Sequence, residues 1–149
     1  MSQRILITSL IGAVAIGAVA AGGIALASAP AEPTVENGSA RYAAPSGSGA
    51  GSFTFTADVT EDSGIDGLKV VVWPASSQLD PTEAEMRHVE SADCRNASGG
   101  TARCTYTLRI TKKDTAGMAE GTWYVSALAT AGDGDTTFAP RAATFEVTR

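Results

Sequence analysis

Phe53-Thr-Phe-Thr-Ala-Asp-Val59 alternates without a break between apolar and polar side chains. Phe53, Phe55, Ala57 and Val59 fall on one face and Thr54, Thr56 and Asp58 on the other, the period of a strand with one buried and one wet side. A helix would scatter the same residues around its circumference, so the segment reads as β. Beyond it, Glu61-Asp-Ser-Gly64 is a turn. Leu68, Val70 and Val72 then face one way while Lys69, Val71 and Trp73 face the other, until Pro74 ends the strand. On the other side, Pro45-Ser-Gly-Ser-Gly-Ala-Gly51 is a loop by composition. Ala40-Arg-Tyr-Ala43 before it suits an edge strand, and residues 30–39, polar and proline-containing, read as a flexible leader.

The β pattern is interrupted at Leu79-Asp-Pro-Thr-Glu-Ala-Glu-Met-Arg-His-Val89. Asp80 can cap, Pro81 suits the first helical position, and Glu83 and Glu85 suit the positive end of the dipole. The spacing predicts a short helix over 81–90, with Met86 and Val89 packed down. Asp93-Cys-Arg95 and Arg103 to Ile110 then flank Asn96-Ala-Ser-Gly-Gly-Thr101 as a hairpin, with Cys104, Tyr106, Leu108 and Ile110 on one face. Thr111 caps one or two helical turns up to Ala119. Thr122 to Thr130 forms a strand, Gly132-Asp-Gly-Asp135 a tight turn, and Thr136 to Val147 the last strand, bent at Pro140. Six or seven short strands separated by turns, with two short helical insertions, give an all-β sandwich over residues 40–149.

The first 29 residues read differently. Arg4 supplies a positive start, Ile5 to Leu26 contains no charge, and Ala27-Ser-Ala29 offers the small residues that signal peptidase requires. The apolar run is long enough to span a bilayer, so an uncleaved anchor is the alternative, and the membrane would be met only there. Cleavage after Ala29 leaves about 120 residues, one domain in length, holding all nine Phe, Tyr and Trp residues. Loss of Arg4 takes the net charge from −5 to −6. An acidic surface without a basic cluster excludes nucleic acid as a partner, because phosphate must be neutralised by Lys and Arg. In an exported chain the two cysteines, Cys94 and Cys104, are expected to form a disulfide across the hairpin.

Phe53-Thr-Phe-Thr-Ala-Asp-Val59, Asp62-Ser-Gly-Ile65 and Leu68-Lys-Val-Val-Val72 resemble the second and third strands of immunoglobulin-like modules on bacterial secreted proteins. Gly121-Thr-Trp-Tyr-Val-Ser-Ala-Leu-Ala129, the Gly-Asp hairpin and Ala143-Thr-Phe-Glu-Val147 resemble their last two strands. With Trp73-Pro-Ala-Ser-Ser77 and Leu79-Asp-Pro-Thr-Glu83 added, residues 40–148 are similar to a family of uncharacterised exported domains of streptomycetes and related actinobacteria. The resemblance implies an immunoglobulin-like sandwich and an extracellular setting, and no mechanism. Cys94 and Cys104 depart from the antibody pattern, in which the disulfide joins the second and sixth strands.

Catalytic motifs are lacking. His88 is the lone histidine, and Glu85-x-x-His88 would be needed twice for a carboxylate di-iron centre. No Gly-x-Ser-x-Gly elbow and no Gly-Lys-Ser/Thr phosphate loop occurs. Two binding hypotheses remain. If the turn at Glu61, Asp62 and Asp66 meets the one at Asp133 and Asp135, their carboxylates could hold calcium; the competing reading is that Asp and Gly are there as turn formers. Trp73, Tyr124 and Leu128 sit opposite the inward registers and could form an exposed patch for a protein or glycan, unless the helical insertions pack on them. The expectation is a secreted, non-catalytic binding or interaction module without a cofactor. A small hydrolase of cell wall or polysaccharide, marked by two facing carboxylates, and a purely structural envelope protein are the alternatives.

Overall fold

The structure is a computed structural model that describes residues 31–149; the expected signal or anchor over residues 1–29 lies outside them. Seven strands run in chain order as β1 (Thr34–Ala43), β2 (Gly51–Thr60), β3 (Ile65–Pro74), β4 (Asp93–Asn96), β5 (Thr101–Ile110), β6 (Gly121–Ala131) and β7 (Thr136–Val147). Two short helices, α1 (Glu83–Met86) and α2 (Lys112–Gly117), interrupt them. All neighbours pair antiparallel, in one sheet ordered β1-β2-β5-β4 and another ordered β3-β6-β7. That order is the strand order of a constant-type immunoglobulin sandwich.

The period of β2 is what seats it centrally. Phe53, Phe55, Ala57 and Val59 are buried, whereas Thr54, Thr56 and Asp58 stay partly open. Facing them are Leu68 and Val70 of β3 and Val125, Ala127 and Ala129 of β6, all buried. Each large apolar side chain enclosed in this way stabilises the fold by about 1.5–3 kcal/mol. Cys94 lies directly opposite Cys104 on β5, and the two form a disulfide with Cα atoms 4.0 Å apart. The N–H of Ala97 bonds the carbonyl of Thr101, so the odd-numbered residues of β5 exchange hydrogen bonds with β4. The cystine therefore occupies a non-hydrogen-bonded pair, where opposed side chains approach most closely.

Two boundaries depart from the sequence reading. β1 begins at Thr34, so most of the expected leader is strand, paired with β2 from Thr34↔Thr60 onward. Asn37, at φ 53, and Gly38 occupy a bulge between Glu36 and Ser39, and a Cβ at Gly38 would stand 2.0 Å from the carbonyl oxygen of Ala142 on β7. The Asn37-Gly38 pair, inside the expected leader, is thus the feature that lets β1 bend against β7. The helix expected over 81–90 is confined to α1. Thr82, rather than Asp80, is its N-cap, with the Glu85 carboxylate accepting from the Thr82 N–H at 2.8 Å and its hydroxyl at 3.0 Å. The helix cannot continue because the next residues pair with β3: Val70 N–H donates to Glu90 O, and Ala92 N–H donates to Leu68 O. The cap of α2 at Thr111, closed by Asp114, is as expected.

The two flanks of the sandwich are closed unequally. On one, β1 leans on β7, with Gly38 against Ala142 and Tyr42 beside Phe145. On the other, a single connection does both jobs: residues 90–92 line the edge of β3, then the chain crosses over and pairs with β5 as the four-residue β4.

Candidate binding site

The two acidic turns do meet, as the topology requires. Gly132 N–H donates to Gly64 O at 2.8 Å, and Asp133 N–H donates to the Ser63 hydroxyl at 3.2 Å. Their carboxylates do not converge. Glu61 is turned inward and nearly buried, accepting from both the N–H and the hydroxyl of Ser63. Asp133 accepts from the Asp135 N–H at 3.1 Å, while Asp62 and Asp66 point to solvent. Among the described residues no group of three His, Cys, Asp or Glu side chains is placed to hold a metal ion. The calcium constellation of Glu61, Asp62, Asp66, Asp133 and Asp135 is therefore not assembled; the Glu61 and Asp133 carboxylates are used within their own turns.

The expected patch of Trp73, Tyr124 and Leu128 is not a surface either. All three lie on the outer face of the β3-β6-β7 sheet, but Trp73 is 4% and Leu128 2% exposed. The α1 segment lies over this face, with Met86 fully buried. Beneath it, Trp73 Nε1 donates to the Ser126 hydroxyl at 2.9 Å, and that hydroxyl donates to Pro140 O at 2.7 Å. Tyr124, the one of the three that stays partly exposed, packs against Trp73 with ring planes inclined at 60° and centroids 4.8 Å apart, and carries the Arg141 guanidinium over its ring at 4.5 Å. Apolar surface on an outward register is claimed by the insertion, which buries Met86 against β3 and β6.

A cavity of about 440 Å³ opens instead where the sandwich is incompletely closed. Its walls are core side chains, among them Phe53, Val70, Tyr106, Leu108, Trp123 and Phe145. They come from both sheets: β2 and β5 on one side, β3, β6 and β7 on the other. The opening has a plain cause. β5 is ten residues long and β4 only four, so pairing on this edge stops at Asp93↔Thr105 and leaves the strand from Tyr106 to Ile110 uncovered. The size falls within the range of small-ligand pockets.

Polar chemistry is confined to the rim. Tyr106 donates its hydroxyl to a Glu90 carboxylate oxygen at 2.5 Å, tying the crossing segment to the first sheet. Burial, and then the Glu90 carboxylate, push the Tyr106 phenol well above its ordinary range, so it stays a neutral donor. His88 stands at the rim, exposed. Glu85, its partner in the Glu-x-x-His pair, is bonded to Thr82, and those bonds hold its carboxyl below the usual range. On the far side of Glu90 and Tyr106 lies a shallow polar cleft of about 800 Å³ bordered by Asp93, Arg95 and Arg103. Arg103 is paired there with Asp58 at 2.9 Å.

Sequence reasoning placed Tyr106, Leu108 and Ile110 on the inward face correctly, yet did not see the cavity. The available signal was the mismatch in hairpin arms: the apolar alternation after the loop outruns anything that precedes it.

No curated protein and no solved structure matches the chain. One family does, over residues 35–129, from the second residue of β1 into β6. That stretch holds both cysteines, the α1 insertion, the Glu90–Tyr106 contact and most of the cavity wall, though not Phe145 of β7. With well over half of the sequence matched, the chain belongs to DUF5707, a family of unknown function.

Proposed function

We propose that this protein is an exported, non-catalytic binding module whose site is the apolar cavity between β3 and β5. The observation that carries the reading is that side chains from five strands, hydrophobic core material, are reached through a gap in the sandwich flank. An apolar group entering there would gain about 25 cal/mol for each Å² of apolar surface removed from water, without first opening the fold. The Glu90–Tyr106 pair at the lip would add orientation. A glycosidase would need two facing carboxylates, whereas the cavity wall carries one, Glu90, already engaged by Tyr106. That favours binding over the hydrolase alternative.

Export is supported by Arg4, the uncharged run from Ile5 to Leu26, Ala27-Ser-Ala29 and the Cys94–Cys104 disulfide. Among the described residues no helix is long and apolar enough to cross a membrane. The test of location is the N-terminus of the protein from culture medium, expected to be Pro30. The test of the site is fluorescence titration with an anilinonaphthalene probe. Binding is expected for the native protein and should weaken at least tenfold in Leu108→Trp, which fills the cavity. A native protein that leaves the probe's emission unchanged, or a Leu108→Trp variant that binds it equally well, would overturn the reading.

A further inference from the structure

Hydrogen-bond parity along β5 shows what shape of ligand the gap is built for. The Ala97–Thr101 bond sets the odd-numbered residues of β5 facing β4, and the Glu61 N–H bond to Gly100 O sets the even-numbered ones facing β2. Continuing that alternation, the peptide groups of Thr107 and Arg109 point to the same side as those of Thr101, Arg103 and Thr105. There, β4 has ended: its first residue, Asp93, is opposite Thr105, and the chain before it runs along β3. Among the described residues no strand pairs with Thr107–Ile110 on the side away from β2. Across the mouth, the bonds flanking Lys69↔Ser91 turn the even-numbered residues of β3 outward, so the peptide group of Val72 faces the gap as well. The mouth of the cavity is bordered by two strand edges, not by side chains alone.

We propose that the occupant is an extended segment of a partner protein that adds to the first sheet beside β5, antiparallel and in line with β4, with apolar side chains alternating with acidic ones. This deepens the reading of the cavity as a binding site and rests on it. A strand so placed takes hydrogen bonds from Thr107 and Arg109, as in other cases of strand addition to a sheet edge. Its residues opposite Leu108 and Ile110 turn inward, where both side chains line the cavity. Those opposite Thr107 and Arg109 turn outward, onto the exposed face that carries the Arg109 side chain. Lys112 and Lys113 follow at once, so three of the chain's 11 basic residues fall within five positions of an otherwise acidic protein. Local charge of that sign selects carboxylates on the outward positions.

The experiment titrates the full mature chain with a fluorescent peptide of alternating leucine and glutamate, following anisotropy. Three comparison arms accompany it: the same peptide N-methylated at the amides facing β5, a leucine–lysine peptide, and the anilinonaphthalene probe. Expected are saturable binding of the leucine–glutamate peptide, at least tenfold weakening on N-methylation, and weakening of similar size for the lysine peptide. Thr107→Pro deletes an N–H that no strand of the sheet uses, at an edge where proline is tolerated. It should lose the peptide while keeping the anilinonaphthalene probe. Arg109→Glu should reverse the preference between the two peptides. If the probe binds and the peptide does not, or if N-methylation and Thr107→Pro both leave the affinity unchanged, strand addition is wrong while the cavity reading survives. If neither probe nor peptide binds, both fall. Self-association of the protein, lost in Thr107→Pro, would give the edge to a second copy of the chain and overturn the proposed partner.

Discussion

Removing one hydroxyl from beneath the α1 cover tests the claim that the outer face of the β3-β6-β7 sheet is a second, dry layer. Ser126 is fully buried, accepts from Trp73 Nε1 and donates to Pro140 O. Ser126→Ala leaves the indole N–H, on a residue only 4% exposed, with no acceptor. A buried donor left unpaired costs about 1–3 kcal/mol. Pro140 lies at the surface, so water replaces the hydroxyl at its carbonyl and adds little. The expected loss is therefore about 2 kcal/mol. A domain of this length loses about 4 °C in Tm per kcal/mol, which makes the shift about 8 °C. Equilibrium denaturation of Ser126→Ala, Trp73→Phe and the double variant gives the coupling, expected at about 1–2 kcal/mol because the double variant removes donor and acceptor together. A loss under about 0.5 kcal/mol with no coupling would mean that water reaches the indole, and the dry layer would be refuted.

Other expectations follow from the same contacts. Met86→Ala, at a fully buried anchor, should cost about 2–4 kcal/mol and shift the Trp73 emission to the red as α1 lifts, provided Trp123 has first been replaced by Phe. Joint replacement of Cys94 and Cys104 by Ala reopens a loop spanning a sequence separation of 10, worth about 2.7 kcal/mol on the chain-entropy estimate, read by denaturant midpoints with and without reductant. Tyr106 has its folded pKa raised by burial and by Glu90, so its stabilisation is complete below the unfolded value of about 10 and is lost as pH rises beyond it. Absorbance at the phenolate band should show Tyr106 ionising above the ordinary tyrosine range, and Glu90→Gln should bring it forward. Asp58, depressed first by the Asn37 hydrogen bond and then by Arg103, acts in the opposite sense: its contribution is present above the unfolded carboxylate pKa and fades as pH falls. Asp58→Asn should flatten the acid limb of the stability profile.

Strand identity and face were legible in the sequence because they depend on a local period, and β2, β3, β5 and β6 all carry it. What lies against a face is decided by residues distant in the chain. Trp73, Tyr124 and Leu128 were assigned to the correct side of the sheet, but their cover arrives with Met86 from an insertion whose landing place no local pattern encodes. The same holds for the helix end. Residues 87–90 have acceptable helical propensity, and the decision against helix is made by β3, which bonds Glu90 and Ala92. At β1 the error has another source: Asn37-Gly38 has turn chemistry, and only the backbone of β7 shows why a strand would want it.

The cavity follows from a conflict that the connection between α1 and β5 cannot resolve. One extended segment can satisfy the edge of β3 or the edge of β5, but not both over the same residues. The chain divides itself, giving 90–92 to β3 and 93–96 to β5, with the switch at Ala92 and Asp93. Each edge is therefore covered for only part of its length, and the uncovered parts, Val72 on one side and Thr107 to Ile110 on the other, face each other across the core. Extending the pairing to Thr107 would need residues Ser91 and Ala92 released from β3, which forfeits the Ala92–Leu68 bond and loosens the Glu90 strap held by Tyr106. The opening is thus not slack in the loop. It is held in place by hydrogen bonds on both sides of it, which keeps the cavity formed before anything binds and lowers the ordering cost of a strand that enters.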